Sequence, residues 1–330
     1  MSSFTGRAAV FYNVENLFDT VDNPNKDDDD FTPRGEYAWD QKRYQTKLDR
    51  IAEVLSLFQG LPAFIGLVEI ENREVLEALL KQPDLSSIDY GIAHFESPDR
   101  RGIDCALCYD KAVFTTTSSR KLEVTLANEP RFVTRDILHV EGTLEGGTNL
   151  HLFVNHWSSR REGRAETEHR RIKAAEILRQ AIDEIFQADP NANILVMGDF
   201  NDYPTNRSLE VVLQAKSVEY IEALSKSDSP SSSQLHEQPL VNLLYDDHLE
   251  ERGTAVYKRK WGVLDQIVVS QAIYNRTAGI GLIQQDAQIV RIEKLLYTYH
   301  DGGQKPDATF GGGKYHGGYS DHLPVYVGLT

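Results

Sequence analysis

The chain has 330 residues, of which 40% are hydrophobic and 26% charged, enough for one large α/β domain or two smaller ones. Its formal net charge of −15 argues against a general, charge-driven nucleic-acid binder. An enzyme acting on phosphates can nevertheless be acidic overall if its basic residues are confined to one region. No apolar run is long enough for a transmembrane helix, and the first residues lack the features of a signal peptide. We expect a cytoplasmic protein if Met1 is the native start, and an exported one if a signal peptide was removed.

Apolar runs typical of strands and segments with helical periodicity occur along the whole chain. Because no clear break in composition interrupts this pattern, it indicates one α/β domain over 1–330, and we expect a monomer. Strands are predicted in 7–18, 61–72, 101–110, 136–142, 149–157, 193–200, 261–270 and near the C-terminus, and helices in 40–59 and 162–186.

Several polar features outside the strand ends receive structural interpretations. Cys105 and Cys108 are three positions apart in a predicted strand, so they should point to opposite faces, and neither a disulfide nor a metal pair is expected. Arg43 and Lys47 lie one helical turn apart and are predicted to form a solvated face, although they could also face a polyanion. The Ser/Pro-rich segment 226–239 is predicted to be an exposed loop.

Acids, amides and histidines appear at the points where several predicted strands end. Such side chains suit the binding of a hard cation and the movement of protons. In an extended segment, Asp199 and Asn201 would face the same side and reach one reacting centre, and Gly198 would allow a close backbone approach. The complete set is Asn13, Glu69, Asn155, His156, Asp199, Asn201, Asp265, Asp321 and His322.

The ordered motifs NVEN, LVE, NH, GDFND, LDQIVVS and SDHLPV resemble those of the endonuclease/exonuclease/phosphatase superfamily, which includes deoxyribonuclease I. The resemblance runs from about Asn13 to Val325, and NVENLFD with NHWSSR is most similar to bacterial endonuclease-like members. It implies a four-layered α/β sandwich, in which two mixed β-sheets pack face to face with helices outside. The active site would lie at one end, where loops of both sheets meet.

The same resemblance implies a metal site. Glu69 would be the principal ligand of Mg²⁺, with Asn13 beside it and Asp321 near the ion, and Mn²⁺ is the alternative metal. This agrees with the chemistry, since Mg²⁺ keeps several waters and needs only one or two protein carboxylates. Such an ion stabilises the negative charge that develops on the phosphoryl oxygens during hydrolysis.

Catalytic roles are implied in the same way. Asp199 would position or deprotonate the attacking water, helped by Asn201. His322, held by Asp265, would contact the scissile phosphate or handle a proton. His156 would be the second catalytic histidine, of the kind found in the deoxyribonuclease and sphingomyelinase branches.

Four residues are candidates for substrate binding. The resemblance implies that Asn155 contacts phosphate. Arg160 and Arg161 could grip phosphate bidentately, with a charged helix start as the alternative. Tyr315 could stack on a base or sugar, with a glycine-rich mobile loop as the alternative.

We therefore expect a divalent-metal-dependent phosphodiester hydrolase, with a nuclease as the leading hypothesis and nucleic acid as its substrate. A phosphatase or phosphodiesterase acting on a small-molecule or lipid phosphoester remains open, because the chain is acidic and lacks a long basic stripe. A catalytically inactive scaffold of the same fold is the third alternative.

Overall fold

The structure is a computed structural model that describes residues 7–58, 60–226 and 238–330, so most of the segment 226–239 predicted as an exposed loop lies outside the described residues. The strands, in chain order, are β1 (Arg7–Leu17), β2 (Phe64–Ile70), β3 (Tyr90–His94), β4 (Asp104–Asp110), β5 (Phe114–Leu122), β6 (Ile137–Leu144), β7 (Asn149–His156), β8 (Ile194–Asp199), β9 (Ala215–Lys216), β10 (Leu240–Asn242), β11 (Ala255–Tyr257), β12 (Lys260–Gly262), β13 (Asp265–Val269), β14 (Gln288–Ile289), β15 (Leu296–Thr298), β16 (Gln304–Pro306), β17 (Phe310–Gly311), β18 (Lys314–Tyr315) and β19 (Val325–Leu329).

The helices follow the same chain order. They are α1 (Gln41–Leu55), α2 (Arg73–Leu80), α3 (Glu168–Ala188), α4 (Val218–Ser225), α5 (Tyr245–Leu249) and α6 (Gln271–Asn275). Short 3₁₀ turns occupy Asp29–Phe31 and Glu293–Leu295, and a π-helical turn occupies Ser208–Leu213. Among the described residues, no helix is both long and apolar enough to cross a lipid bilayer.

Two large mixed sheets form the centre of the fold. The first has the strand order β14-β19-β1-β2-β4-β3, and the second has the order β5-β6-β7-β8-β13-β10-β9. In the first sheet β1 runs parallel to β2 and antiparallel to β19. In the second sheet β7 runs parallel to β8, and β13 runs antiparallel to β8.

The two sheets pack face to face over an apolar core. Along β1, Ala9 and Phe11 point into this core, whereas Val10 and Tyr12 point to the outer face, as the alternation of a strand requires. Gly66 shows how closely the sheets approach, since a Cβ at this position would lie 2.3 Å from the sulfur of Met197 in the opposite sheet.

Helices cover the outer face of each sheet. Leu48, Ile51 and Leu55 of α1 pack on the first sheet, and Leu178 and Ile182 of α3 pack on the second. Both faces of each sheet are therefore buried, which explains the nearly continuous apolar runs of the central strands. The predicted four-layered α/β sandwich is confirmed.

Some local predictions hold and others need correction. Cys105 lies in the core between the sheets and Cys108 on the outer face, both buried and free, as the strand alternation predicts. The helix predicted in 162–186 begins only at Glu168, because 162–167 forms turns. The strand predicted in 261–270 is divided, since its first residues belong to the β11–β12 hairpin and only Asp265–Val269 joins the second sheet.

Candidate active site

The ends of strands from both sheets bring the predicted polar residues together. Because β7 and β8 are parallel, their carboxyl ends meet, and His156 lies opposite Asp199. Because β13 is antiparallel to β8, it begins at the same edge, and Asp265 also lies opposite Asp199. Asn13 of β1, in the other sheet, donates through Nδ2 to Asp199 Oδ2 at 3.2 Å.

Irregular backbone aims Glu69 of the first sheet at this edge. The register between β1 and β2 shifts between Asn13 and Leu17, and β2 also shifts against β4 beside Glu69. Glu69 itself has a φ of 65°, a left-handed conformation that a glutamate rarely adopts. The Asn16 N–H, which also belongs to a left-handed residue, donates to Glu69 Oε2 at 3.0 Å. Bulges of this kind re-aim side chains next to active sites.

Asp199 is the hub of the site. Its Oδ2 accepts hydrogen bonds from the side-chain amides of Asn13 and Asn201, both at 3.2 Å. Asp199 and Asn201 do approach each other, but not by lying on one side of an extended segment. Asn201 has a φ of 49°, and its N–H donates to Asp199 Oδ1 at 2.9 Å, so a turn closed by the aspartate side chain joins them. The predicted close approach at Gly198 is present, since a Cβ there would lie 2.6 Å from Asn155.

Burial decides the proton affinity of Asp199. It raises the pKa of this carboxyl to about 6, His322 opposes the increase, and the neighbouring Asp265 adds to it. At neutral pH the carboxylate is therefore charged but holds its proton more tightly than an exposed aspartate. A group with these properties is suited to accept a proton from a water molecule.

His322 and Asp265 form a hydrogen-bonded pair. Nδ1 of His322 donates to Asp265 Oδ2 at 2.7 Å, which leaves Nε2 facing Asp199 Oδ2 at 3.9 Å. Burial alone would lower the pKa of His322, but Asp265 and Asp199 outweigh it and raise the pKa well above its usual value. The imidazolium form is thus favoured at neutral pH, with one N–H held and the other directed into the site.

His156 has the opposite electrostatic character. Burial, together with the positive charges of Arg135 and Arg101, lowers its pKa well below the usual value. Its Nε2 lies 3.6 Å from Asp199 Oδ2 and 3.7 Å from Glu69 Oε1. The two histidines therefore differ in charge at neutral pH, because His322 has a carboxylate partner at hydrogen-bond distance, whereas His156 is buried without one and has arginines nearby.

The residues predicted to bind metal fit a divalent cation. Oε1 of Glu69 accepts no hydrogen bond from any described residue, whereas its Oε2 is held by Asn16. Asp321 is exposed and lines the same cleft as Glu69. Carboxylate and amide oxygens are donors that Mg²⁺ and Mn²⁺ prefer, so Glu69 and Asp321 of the cleft would hold the ion. Asn13 would lie beside them, but it is buried, and its Oδ1 already accepts from the Glu15 N–H at 3.0 Å.

The structure does not bring two of the predicted substrate-binding residues into the cleft. Asn155 is fully buried, its Nδ2 donates to the Met197 carbonyl, and its Oδ1 accepts from Trp157 Nε1. The strand alternation that points His156 into the site points Asn155 away from it. The predicted contact of Asn155 with phosphate is therefore wrong. Tyr315 is half-buried, packs against Trp39 and Arg43, and does not line the cleft.

Arg160 does line the cleft, but neighbouring groups hold its guanidinium. Nη2 contacts Asp202 at 3.0 Å and Asn206 at 3.1 Å, and the guanidinium lies 4.3 Å from the centre of the Tyr203 ring. The cleft has a volume of about 930 Å³ and contains further cations that sequence reasoning missed or weighed only lightly. The basic residues that line it are Arg101, Arg135, Arg160, Arg161, Arg164, Arg170 and Lys260.

Lys47 is fully buried behind the site, which corrects the predicted solvated face. Its Nζ donates to Thr309 Oγ1 at 2.5 Å and to the Tyr319 carbonyl at 2.8 Å. Glu15, also buried, accepts from the Thr309 N–H at 2.6 Å. The two charged side chains thus fix the segment that leads to His322. A signal was present in the sequence, because Lys47 falls within the apolar stripe of α1.

Lys47→Met is expected to destabilise the protein by about 1–3 kcal/mol, because the buried Thr309 hydroxyl and Tyr319 carbonyl would lose their donor. The pKa of Glu15, which burial already raises to about 7, would rise further without the nearby cation. Urea unfolding measures the effect, with Lys42→Met at an exposed position of the same helix as the control. The double variant Glu15→Gln/Lys47→Met should recover part of the loss. Equal stability of Lys47→Met and the wild type would show that the cation contributes nothing.

The fold and this arrangement of acids, histidines and arginines define an enzyme that hydrolyses phosphoric esters. The family model described as "Endonuclease/Exonuclease/phosphatase family" matches residues 8–330, and the chain therefore belongs to this family. The predicted membership, and with it the class of metal-dependent phosphoric ester hydrolase, is confirmed. No curated protein matches the sequence.

Solved structures share the fold across nearly the whole chain. The human Nocturnin catalytic domain with bound sulfate is 17% identical, with 98% of this chain and 94% of that chain covered and a TM-score of 0.55. D. rerio TDP2 complexed with a single-strand DNA product is 15% identical, with 99% of each chain covered and a TM-score of 0.57. A mannosyl-6-phosphatase of Bacteroides thetaiotaomicron is also 15% identical, with 98% and 99% covered and a TM-score of 0.55. At these identities the similarity shows the fold alone.

Proposed function

We propose that the protein is a divalent-metal-dependent nuclease that cleaves phosphodiester bonds of DNA or RNA. The observation that carries this proposal is the concentration of arginines in the cleft of a chain whose net charge is −15. Among the described residues, Arg161 and Arg164 form no ion pair, and Arg101 has only Asp99 at 3.8 Å, so these charges can contact a polyanion. The complexes of related folds with sulfate and with single-strand DNA agree with this choice.

The chemistry follows from the roles of the chain's own residues. Asp199 accepts a proton from the attacking water, and Asn201 and Asn13 hold the carboxylate in position through their amides. His322 donates from Nε2 toward the phosphate, while Asp265 fixes its orientation. His156, neutral at the same pH, offers a further polar contact in the site. A divalent ion, for which we propose Mg²⁺ with Mn²⁺ as a substitute, supplies positive charge to the phosphoryl oxygens when bound.

A phosphoester of a small molecule is the second candidate. Part of the positive charge in the cleft is already neutralised, because Arg135 is paired with Asp99 and Arg160 with Asp202, each at 3.0 Å. This favours a small substrate. A small substrate needs fewer free cations than a polymer does. The phosphatase among the related structures shows that this fold also carries such an activity.

One experiment separates the two candidates. The purified protein is incubated with supercoiled plasmid, single-stranded DNA, RNA and bis-p-nitrophenyl phosphate, each with Mg²⁺, Mn²⁺, Ca²⁺ or EDTA. Metal-dependent cleavage of a polymer that declines steeply with salt is the expected result. Turnover of the small diester alone, with little dependence on salt, would replace the nuclease proposal with the small-phosphoester one.

Glu69→Gln is expected to raise the Mn²⁺ concentration needed for half-maximal activity by roughly 10–100-fold, the range typical even for residues that only support a metal ligand. Calorimetric titration with Mn²⁺ measures the binding directly. Glu71→Gln is the matched control, because burial raises the pKa of Glu71 to about 8, so its carboxyl is already largely protonated at neutral pH. Unchanged Mn²⁺ affinity in Glu69→Gln would exclude Glu69 as a ligand.

A further inference from the structure

Two hairpins next to the cleft form a surface that the proposed chemistry does not use. We call it the hairpin surface; it comprises Tyr257, Lys258, Arg259, Tyr297, Tyr299 and Lys305, from the β11–β12 and β15–β16 hairpins. It is continuous with the active site, because Tyr257 and Lys260 line the cleft. In addition, Ala255 of the first hairpin forms a β-bridge with His322.

The hairpin surface combines exposed aromatic rings with local positive charge. Tyr257 is 72% exposed and Tyr297 is 47% exposed, values that are unusual for large rings. The segments 255–262 and 296–306 contain four lysines and arginines and one acid, in a chain with a net charge of −15. An exposed aromatic and basic surface within an acidic chain is typical of an interaction site.

Cations and rings alternate across the two hairpins. The guanidinium of Arg259 lies 4.0 Å from the centre of the Tyr299 ring in the other hairpin. Lys258 Nζ lies 5.2 Å from the Tyr257 ring, and Lys305 Nζ lies 5.6 Å from the Tyr297 ring. Arg259 also pairs with Asp301, so the two hairpins are joined by charge as well as by stacking. This arrangement offers both flat apolar faces and neighbouring cations to a ligand.

The turn of the first hairpin keeps its cations in an unfavourable backbone conformation. Lys258 and Arg259 have φ values of 47° and 68°, both left-handed. A two-residue hairpin turn with two positive φ values strongly prefers Asn-Gly, because side chains with a normal Cβ are strained there. Strain of this kind persists mainly at sites where the side chains have a function.

We propose that the hairpin surface binds single-stranded nucleic acid adjacent to the phosphodiester that is cleaved. Bases stack on Tyr257 and Tyr297, and phosphates are neutralised by Lys258, Arg259 and Lys305. A duplex does not fit this role, because its base faces are covered by their neighbours. The inference rests on the proposed nuclease function and narrows its substrate to strands with accessible bases.

The test measures binding of short fluorescent single-stranded DNA and RNA oligonucleotides to the full chain by anisotropy in EDTA, so that no cleavage occurs. The variant Lys258→Asn/Arg259→Gly removes two cations and gives the turn its preferred residues. The relief of backbone strain should offset the lost contacts of Arg259 with Tyr299 and Asp301, so the melting temperature should stay near that of the wild type. We expect about tenfold weaker binding, and a dependence of log K on log salt that is shallower by about 1.4, since each single-strand phosphate contact contributes about 0.7.

Two further variants sharpen the result. Tyr257→Ser/Tyr297→Ser removes the exposed rings and should weaken binding by roughly 30-fold or more with little change in the salt dependence. Lys81→Asn/Lys111→Asn removes the same charge from the opposite end of the first sheet and should bind as the wild type does. Equal affinity of all variants, or tighter binding of a duplex than of single strands, would overturn the proposal.

Failure of the inference and failure of the proposed function give different results. Cleavage of polymers that is insensitive to the hairpin substitutions would leave the nuclease proposal standing and exclude this surface. Weakened oligonucleotide binding by the variants, in a protein that hydrolyses no phosphoester with any metal, would leave the surface standing and exclude the nuclease.

Discussion

Replacing Asp199 with asparagine is expected to lower kcat by about 10²–10⁴-fold, the range that a positioned general base contributes. Asparagine has nearly the same shape and can keep a hydrogen bond to Asn13 or to the Asn201 N–H, so the geometry of the site should persist. What is lost is the ability to accept a proton from water. Initial rates on the small diester and on oligonucleotides, at saturating Mn²⁺, measure the effect.

The same substitution should stabilise the protein at neutral pH. Burial raises the pKa of Asp199 from 3.8 to about 6, so the folded state disfavours the charged form and loses stability as the pH rises through this window. Asparagine removes the penalty, and the melting temperature should therefore exceed that of the wild type above pH 6. The difference should vanish as the pH falls below 3.8.

Asp247→Asn provides the matched control for Asp199→Asn. Burial also raises the pKa of Asp247, but this residue does not line the cleft. Its substitution should leave the rates near those of the wild type. A fully active Asp199→Asn variant would remove Asp199 from the chemistry and would require another base.

Asp265→Asn is expected to shift the alkaline limb of the pH–rate profile to lower pH. In the wild type, Asp265 and Asp199 raise the pKa of His322 well above 6.5, so the imidazolium persists at neutral pH and above. Without the Asp265 charge, the pKa of His322 should fall, and activity should be lost at a lower pH, about tenfold per pH unit beyond the new value. We expect kcat at neutral pH to fall by about 10²-fold or more.

The pKa of His322 measured by NMR in both proteins is the readout that a purely structural role of Asp265 would not change. The acidic limb of the pH–rate profile should still reflect Asp199, whose pKa burial raises to about 6. An alkaline limb at the same pH in Asp265→Asn and in the wild type would show that His322 does not act through its protonated form.

The sequence predicts the layers of this fold because alternation and helical periodicity are local properties. The alternation of Val10 and Phe11 predicts that the two faces of β1 contact different layers. The acidic residues at the predicted strand ends indicate the position of the active site. Local patterns do not describe how the backbone departs from regularity. The left-handed conformations of Glu69 and Asn201 depend on contacts made far along the chain, so an extended segment was the wrong geometry for Asn201.

Long-range contacts explain the other errors. Asn155 and His156 are neighbours with opposite directions, and only the packing of Asn155 against Gly198 shows which of them enters the site. Arg101 and Arg135 come from loops without any periodic signal, so their convergence on the cleft required the folded structure. Lys47 differs, because its position in the apolar stripe of α1 could have been recognised from the sequence.

The strand order has a consequence for biosynthesis. In the first sheet, β19 lies directly beside β1, and Asp321 and His322 come shortly before β19 in the chain. A nascent chain therefore carries Glu69, Asp199 and Asp265 well before the residues that complete the centre emerge from the ribosome. The site is complete only when the strand that follows His322 pairs with β1. The topology thus makes completion of the catalytic centre depend on the pairing of strands from opposite ends of the described residues.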